Sequence, residues 1–212
     1  PPNDEKSPYR KVEGRFVVPG TYQLRLTVGD KVHTRPLDVR LDPAITVPAA
    51  DIAQWEALAS RQATLLGAAY RGRKAIEASL AQTGAVLSAL KSANADTALV
   101  AQAQAAADEA RRLHILLNGE EEGIAQQETF LPLYELALRL YTSTQGYTAA
   151  PDQAQRRLTD AAQQRTVTFY RDLGVLLSER LPALQKATTG AGIAWPAAQL
   201  PALPATPFAS VP

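Results

Sequence analysis

Pro19-Gly20-Thr21-Tyr22-Gln23-Leu24-Arg25-Leu26-Thr27-Val28-Gly29-Asp30-Lys31 decides the reading of this chain. Tyr22, Leu24, Leu26 and Val28 alternate with Gln23, Arg25 and Thr27, the period of a half-buried antiparallel strand. Gly29-Asp30 suits a two-residue type II′ turn, where glycine takes the positive φ of the first central position. That turn pairs Val28 with Lys31 and Leu26 with His33. It puts Leu37, Val39 and Leu41 of the return strand on the face of the tyrosine–leucine row. Pro36 cannot donate to a ladder, which predicts an edge position or a bulge. Arg15 to Val18 fits a further short strand. A lone hairpin does not hold itself together in water; it needs more strands or a packing surface. The expectation is a chain that begins in the last strands of a β-domain, its apolar row covered by another chain segment or by a partner.

Everything after the hairpin is helical in pattern. Asp42-Pro43 ends the return strand, and helical signals start past Pro48. Positions 52, 55, 59, 62, 66, 69, 73, 76, 80, 83, 87 and 90 keep a three-four spacing, and nine of these twelve are apolar, from Ile52 and Trp55 to Leu90. That stripe is a seam for antiparallel helix packing rather than a strict coiled coil. Gly67, Gly72 and Gly84 each weaken the helix by roughly 1 kcal/mol against alanine, and a kink is expected near Gly72. A second helix is expected from Asp96 to Leu117, alanine-striped until Leu113, Leu116 and Leu117, with Asn118-Gly119 as its stop. Residues 120–123 read as a loop. A third helix is expected over 124–144, with Phe130, Leu133, Ala137, Leu140 and Tyr141 inward and Pro132 at its true start or bending it. A fourth is expected from Asp152, where Asp152 and Gln155 have capping-box spacing, to Lys186, with Leu158, Ala161, Phe169, Leu173, Leu176 and Leu177 inward. From Thr188 on, five of the fifteen prolines force an extended tail that docks through Trp195, Leu200, Leu203 and Phe208.

Length and composition set bounds. The 212 residues suffice for a real core, and 46% apolar with 20% charged residues is the balance of a folded globular protein. A net charge of +1 gives no electrostatic reason to expect nucleic acid or an anionic membrane. No run of eighteen apolar residues occurs, so no transmembrane helix is expected. Absent cysteine excludes disulfides and thiolate metal sites and leaves the redox compartment open. The chain opens at Pro1, contains no methionine and shows no signal-peptide pattern, which reads as a processed or truncated chain.

No catalytic constellation emerges. His33 and His114 are isolated and read as packing or surface residues, with no His-x-x-x-His or Glu-x-x-His pair. Glu120, Glu121 and Glu122 lack calcium-loop spacing and read as a solvated turn. Arg71, Arg73, Lys74, Arg111 and Arg112 form a candidate basic patch, but nearby carboxylates make them ordinary charged helix faces. Gly190-Ala191-Gly192 follows a helix rather than a strand and lacks the third glycine of a nucleotide loop. Ser143 and Ser178 have no suggested base, so no triad can be assembled. The residues set aside for function are therefore Tyr22, Leu24, Leu26, Leu37 and Val39, a possible interaction surface. No catalytic residue, cofactor or metal ligand is expected.

The segments Pro19 to Val28, Pro36-Leu37-Asp38-Val39-Arg40-Leu41-Asp42-Pro43 and Ala49-Ala50-Asp51-Ile52 resemble the C-terminal region of large bacterial BNR-repeat, sortilin-like β-propeller proteins, often labelled glycosyl hydrolases. The likeness recurs in Ala150-Pro151, Gln155-Arg156 and Leu181-Pro182-Ala183-Leu184. This sequence departs from the usual Asp-Gly turn by having Gly29-Asp30, and has His33 where an aromatic is common. The resemblance implies an exported protein with an Ig-like β-element and a helical appendage, its propeller and any sugar or peptide site preceding these residues. The expected fold is mainly α: an up-down bundle of three or four helices preceded by a β-hairpin from an incomplete Ig-like sandwich. The expected layout is 1–14 arm, 15–43 hairpin, 49–187 bundle and 188–212 proline-rich tail. The expected role is a non-catalytic structural or interaction module at the C-terminus of an exported propeller protein. It would bind the rest of its parent, or another subunit, through the hairpin. The rivals are an independent peptide- or subunit-binding module, and part of a glycoside hydrolase whose active site lies on absent residues. A glycosidase needs two carboxylates about 5 to 10 Å apart, and no spacing here suggests such a pair.

Overall fold

A computed structural model of the chain describes residues 14–119, 131–144, 149–195, 200 and 202–204. Strands β1 (Gly20–Val28) and β2 (Lys31–Val39) form a two-stranded antiparallel sheet. Helices α1 (Ala49–Ser92), α2 (Thr97–Asn118), α3 (Leu133–Thr144) and α4 (Gln153–Val175) follow. After α4 a π turn at Leu176–Arg180 leads into α5 (Leu181–Gly190). The molecule is mainly helical, a bundle of four helices with a hairpin at its N-terminal end, as the sequence pattern predicts. Within the expected third helix, residues 124–130 lie outside the described residues, as do the loop at 120–123 and Phe208.

The chain's stop signals are specific. Asn94 ends α1 in the left-handed conformation with φ 48°. Its neighbour Ala95 donates to Leu90 O at 3.0 Å and Asn94 itself to Lys91 O at 3.2 Å, the paired bonds of a Schellman motif. Two residues on, the Asp96 carboxylate accepts from the Ala98 amide and starts α2. The α1–α2 reversal is thus built within the four residues 93–96. At α4 the anticipated capping box is present in both directions between Asp152 and Gln155. Pro182 explains the π turn: it has no N–H to offer the carbonyl four residues back, and the ladder widens so that the Leu181 amide reaches Leu176 O.

Helix α1 is the spine, with α2, α3 and α4 all packed against it. Trp55, Ala59, Gln62, Leu66, Ala69, Ile76, Thr83 and Leu90 of the expected stripe are buried. Leu58, Leu65, Ala68, Ala75 and Val86 are buried too, because partners lie on more than one side. The helix continues unbroken through Gly67, Gly72 and Gly84. At Gly72 the reason for glycine is contact: a β-carbon there would sit 2.6 Å from Cε1 of buried Phe169. Ala103, Ala106 and Ala110 give α2 the small-residue face the sequence shows. Trp55 is 4% exposed and donates its indole N–H to Thr144 O at 2.9 Å, tying α1 to the end of α3. Tyr170 donates its hydroxyl to Ala68 O at 2.9 Å.

One stretch of α4 is rotated from the expected face. Leu158 and Ala161 are exposed, whereas Thr159, Ala162 and Thr166 are buried. The threonines are tolerated inside because each hydroxyl donates to its own helix, Thr159 to Gln155 O and Thr166 to Ala162 O, both at 2.8 Å. Thr159 also accepts from the buried Gln62 amide at 3.1 Å. Further along, Phe169, Leu173, Leu176 and Leu177 are inward as expected. Of the tail, Ile193, Trp195 and Leu200 pack on the core, and Leu203 lies against Gly174.

A matched pair of substitutions tests the contact at α1. Gly72→Ala is expected to cost about 1–3 kcal/mol because the Phe169 ring must move. Gly84→Ala, with open space around the new methyl, is expected to stabilise by about 0.5–1 kcal/mol. Urea unfolding of the two variants checks the sign of each.

Candidate functional site

The hairpin register is the expected one: Tyr22 opposite Leu37, Leu24 opposite Arg35, Leu26 opposite His33, Val28 opposite Lys31 and Gly20 opposite Val39. Gly29 has φ 57° and Asp30 is not in the left-handed region, the pattern of a type II′ turn. The register runs through Pro36 without an extra residue, so Pro36 marks an edge and not a bulge.

The five expected surface residues share one face. On it β1 contributes Tyr22, Leu24, Leu26 and Val28, and β2 contributes Leu37 and Val39 followed by Arg35, His33 and Lys31 towards the turn. The opposite face is mostly polar, with Thr21 donating to the Asp38 carboxylate at 2.9 Å across the strands. Within the chain the apolar row is open. Leu24 is 55%, Leu26 62% and Leu37 41% exposed; Tyr22, Val39 and Leu41 are half-buried. Among the described residues, the bundle's apolar stripe faces its own helices and leaves nothing to cover the hairpin. The ion pair between Arg15 and Glu56, at 2.7 Å, joins the segment before β1 to α1.

One feature of the surface escaped the sequence reading. The Tyr22 hydroxyl donates to Val18 O at 2.7 Å and pins the incoming backbone across Pro19-Gly20. The bond closes a loop of four residues and holds the turn that enters β1. Its signal was present as Val18-Pro19-Gly20-Thr21-Tyr22, with the acceptor four residues before the ring.

Several of the remaining candidates have structural occupations. Arg73 bonds Glu77 and stacks on the Tyr134 ring, and Lys74 lies over Tyr70. Arg112 bridges Glu109 on α2 and Asp172 on α4 at 2.8 and 2.9 Å. Its hydrogen bond holds the Glu109 carboxyl below its ordinary range, and burial opposes this. At Asp172 burial pushes upward, but hydrogen bonds from Arg112 and Arg171 leave the carboxyl lowered. Arg112 itself is raised by both carboxylates. His33 is exposed and His114 half-buried. Gly192, with φ 73°, ends α5 in a second Schellman turn and cradles no phosphate-loop geometry. Glu120, Glu121 and Glu122 lie outside the described residues. A recess of about 500 Å³ is lined by Arg15, Leu66, Tyr70, Arg71 and Tyr141. Of its two cations, Arg15 is engaged by Glu56. Among the described residues there is no group of three metal-ligating side chains. No helix there is long and apolar enough to cross a membrane. No family model, curated protein or solved structure matches the chain.

Two outcomes follow. Arg112→Gln is expected to destabilise by up to about 1 kcal/mol near pH 7, the range of partly exposed ion pairs. The two carboxyls are lowered in the fold, so their contribution is present above their ordinary values of 4.5 and 3.8. It is lost as pH falls through the lowered ones. Wild type and variant should therefore converge in urea titrations as pH falls below both lowered carboxyl values. In contrast, Leu24→Lys with Leu26→Lys should leave bundle stability within about 0.5 kcal/mol of wild type, because both residues already face solvent. Thermal unfolding followed by the combined fluorescence of Trp55 and Trp195 checks this.

Proposed function

We propose that the chain is a non-catalytic structural and interaction module, joined through its hairpin to a β-domain of an exported BNR-repeat, sortilin-like propeller protein. In this reading β1 and β2 are the closing strands of an Ig-like sandwich, and the bundle is an appendage to it. The observation that carries the proposal is the open row of Leu24, Leu26, Val28 and Leu37 on a hairpin of regular register. Each such side chain is worth roughly 1.5 to 3 kcal/mol when fully buried, and a two-stranded sheet has little else to hold it in water. The resemblance in Pro19 to Val28 and Pro36 to Pro43 supports the parent's identity and its export. No reaction is assigned to these residues.

The absence of cysteine allows a clean test. A thiol introduced by Leu26→Cys should react with a maleimide at the rate of a free peptide thiol in the 212-residue chain. In the product of the complete parent reading frame it should react at least about a hundredfold more slowly, as burial predicts. Equal rates in both would overturn the reading.

A further inference from the structure

In an antiparallel pair, every second residue of each strand turns its backbone N–H and C=O away from the partner. The two-residue turn makes Val28–Lys31 a hydrogen-bonded pair, and the pairs then alternate. Leu26–His33, Leu24–Arg35 and Tyr22–Leu37 therefore bond across the ladder. Thr21, Gln23, Arg25 and Thr27 of β1 present their backbone groups to one edge, which no other described strand pairs. Val32, Thr34, Pro36 and Asp38 of β2 present theirs to the other. Pro36 falls in the outward set. It removes a donor from the outer edge of β2 and none from the ladder.

The side chains repeat this asymmetry. On the apolar face β1 carries Tyr22, Leu24, Leu26 and Val28, while β2 sets Arg35, His33 and Lys31 opposite the last three. Proline and inward-pointing charges are two of the devices by which sheets protect an outermost strand. Strand β2 has both. Strand β1 has neither: all of its outward amides are intact and its inner side chains are apolar.

We propose that the outer edge of β1 accepts a further β-strand, so that β1 becomes an interior strand and β2 the rim of the sheet. The occupant is a strand from the β-domain of the parent protein. It sets apolar side chains beside Leu24 and Leu26 on one face and carboxylates or hydroxyls beside Thr21, Gln23 and Arg25 on the other. Arg25 is the cation on that polar face and selects acidic neighbours. A second copy of this chain is a poor occupant. Edge to edge it brings two Arg25 residues to the same polar face, and face to face it opposes two rows carrying Lys31 and Arg35, so like charges meet either way. The inference rests on the module reading above and adds which edge is used and what pairs with it.

The test is residue-resolved amide exchange of the full chain with a synthetic strand peptide alternating valine with threonine and glutamate. Saturating peptide should slow the amides of Thr21, Gln23, Arg25 and Thr27 about tenfold or more, and leave Val32, Thr34 and Asp38 unchanged. Arg25→Pro should abolish the effect, and Thr34→Pro, which removes an outward donor from β2, should spare it. The ladder amides of Leu24 and Leu26 report that the hairpin survives in each variant, and the wild-type pattern decides the matter if one variant loses it. Protection on the β2 edge, on both edges or on neither would overturn the proposal. That result would leave the module reading standing if the Leu26→Cys thiol were nonetheless buried in the parent; a reactive thiol there would refute the module reading itself.

Discussion

Helix α1 sets the length scale of the molecule. Its 44 residues rise about 66 Å at 1.5 Å per residue, longer than any partner in the bundle. A helix of that length holds in water only if its apolar face is covered along its course. The chain solves this in sections, with α2, α3 and α4 each taking a share of α1. Directional bonds fix the sections: Trp55 to the last turn of α3 and Tyr170 to the α1 carbonyl of Ala68. Glycine at position 72 lets Phe169 of α4 lie against the backbone of α1.

Because that face is occupied by helices, none of it is left for the hairpin. The same physics that makes the bundle self-sufficient leaves Leu24 and Leu26 open. The hairpin then differs from the bundle in kind. Its turn, register and tyrosine tether are all in order, yet its apolar face has no counterpart among the described residues. That combination of regular register and open face is the observation on which the proposed module role rests. The unequal edges of β1 and β2 point the same way.

Period-two alternation around Gly29-Asp30 made the hairpin legible to the residue, because a two-residue turn leaves no freedom of register. The α1 seam and the Asp152–Gln155 cap were legible for similar reasons, each being a fixed spacing with one geometric solution. The rotated start of α4 was not. Reading Leu158 and Ala161 as inward follows hydrophobicity, but Thr159 and Thr166 satisfy their hydroxyls on their own helix and pack as small apolar residues. The Schellman turn at Asn94 and the π turn before Pro182 depend on backbone bonds that hydropathy does not register. Of the candidate site, the shared face of Tyr22, Leu24, Leu26, Leu37 and Val39 was readable. Its openness was not, since the pattern of a strand face does not say whether its cover lies in the same chain.

The central claim is that bundle and hairpin are energetically separate, one complete and the other awaiting a partner. Native-state amide exchange on the free chain under graded denaturant tests it most directly. The account predicts that amides in α1 from Leu65 to Ile76 exchange only through global unfolding, whereas the ladder amides of Leu24, Leu26 and His33 open independently at a much lower free energy. If hairpin and α1 amides merged into one unfolding isotherm, the two would form a single cooperative unit, and the account would be contradicted.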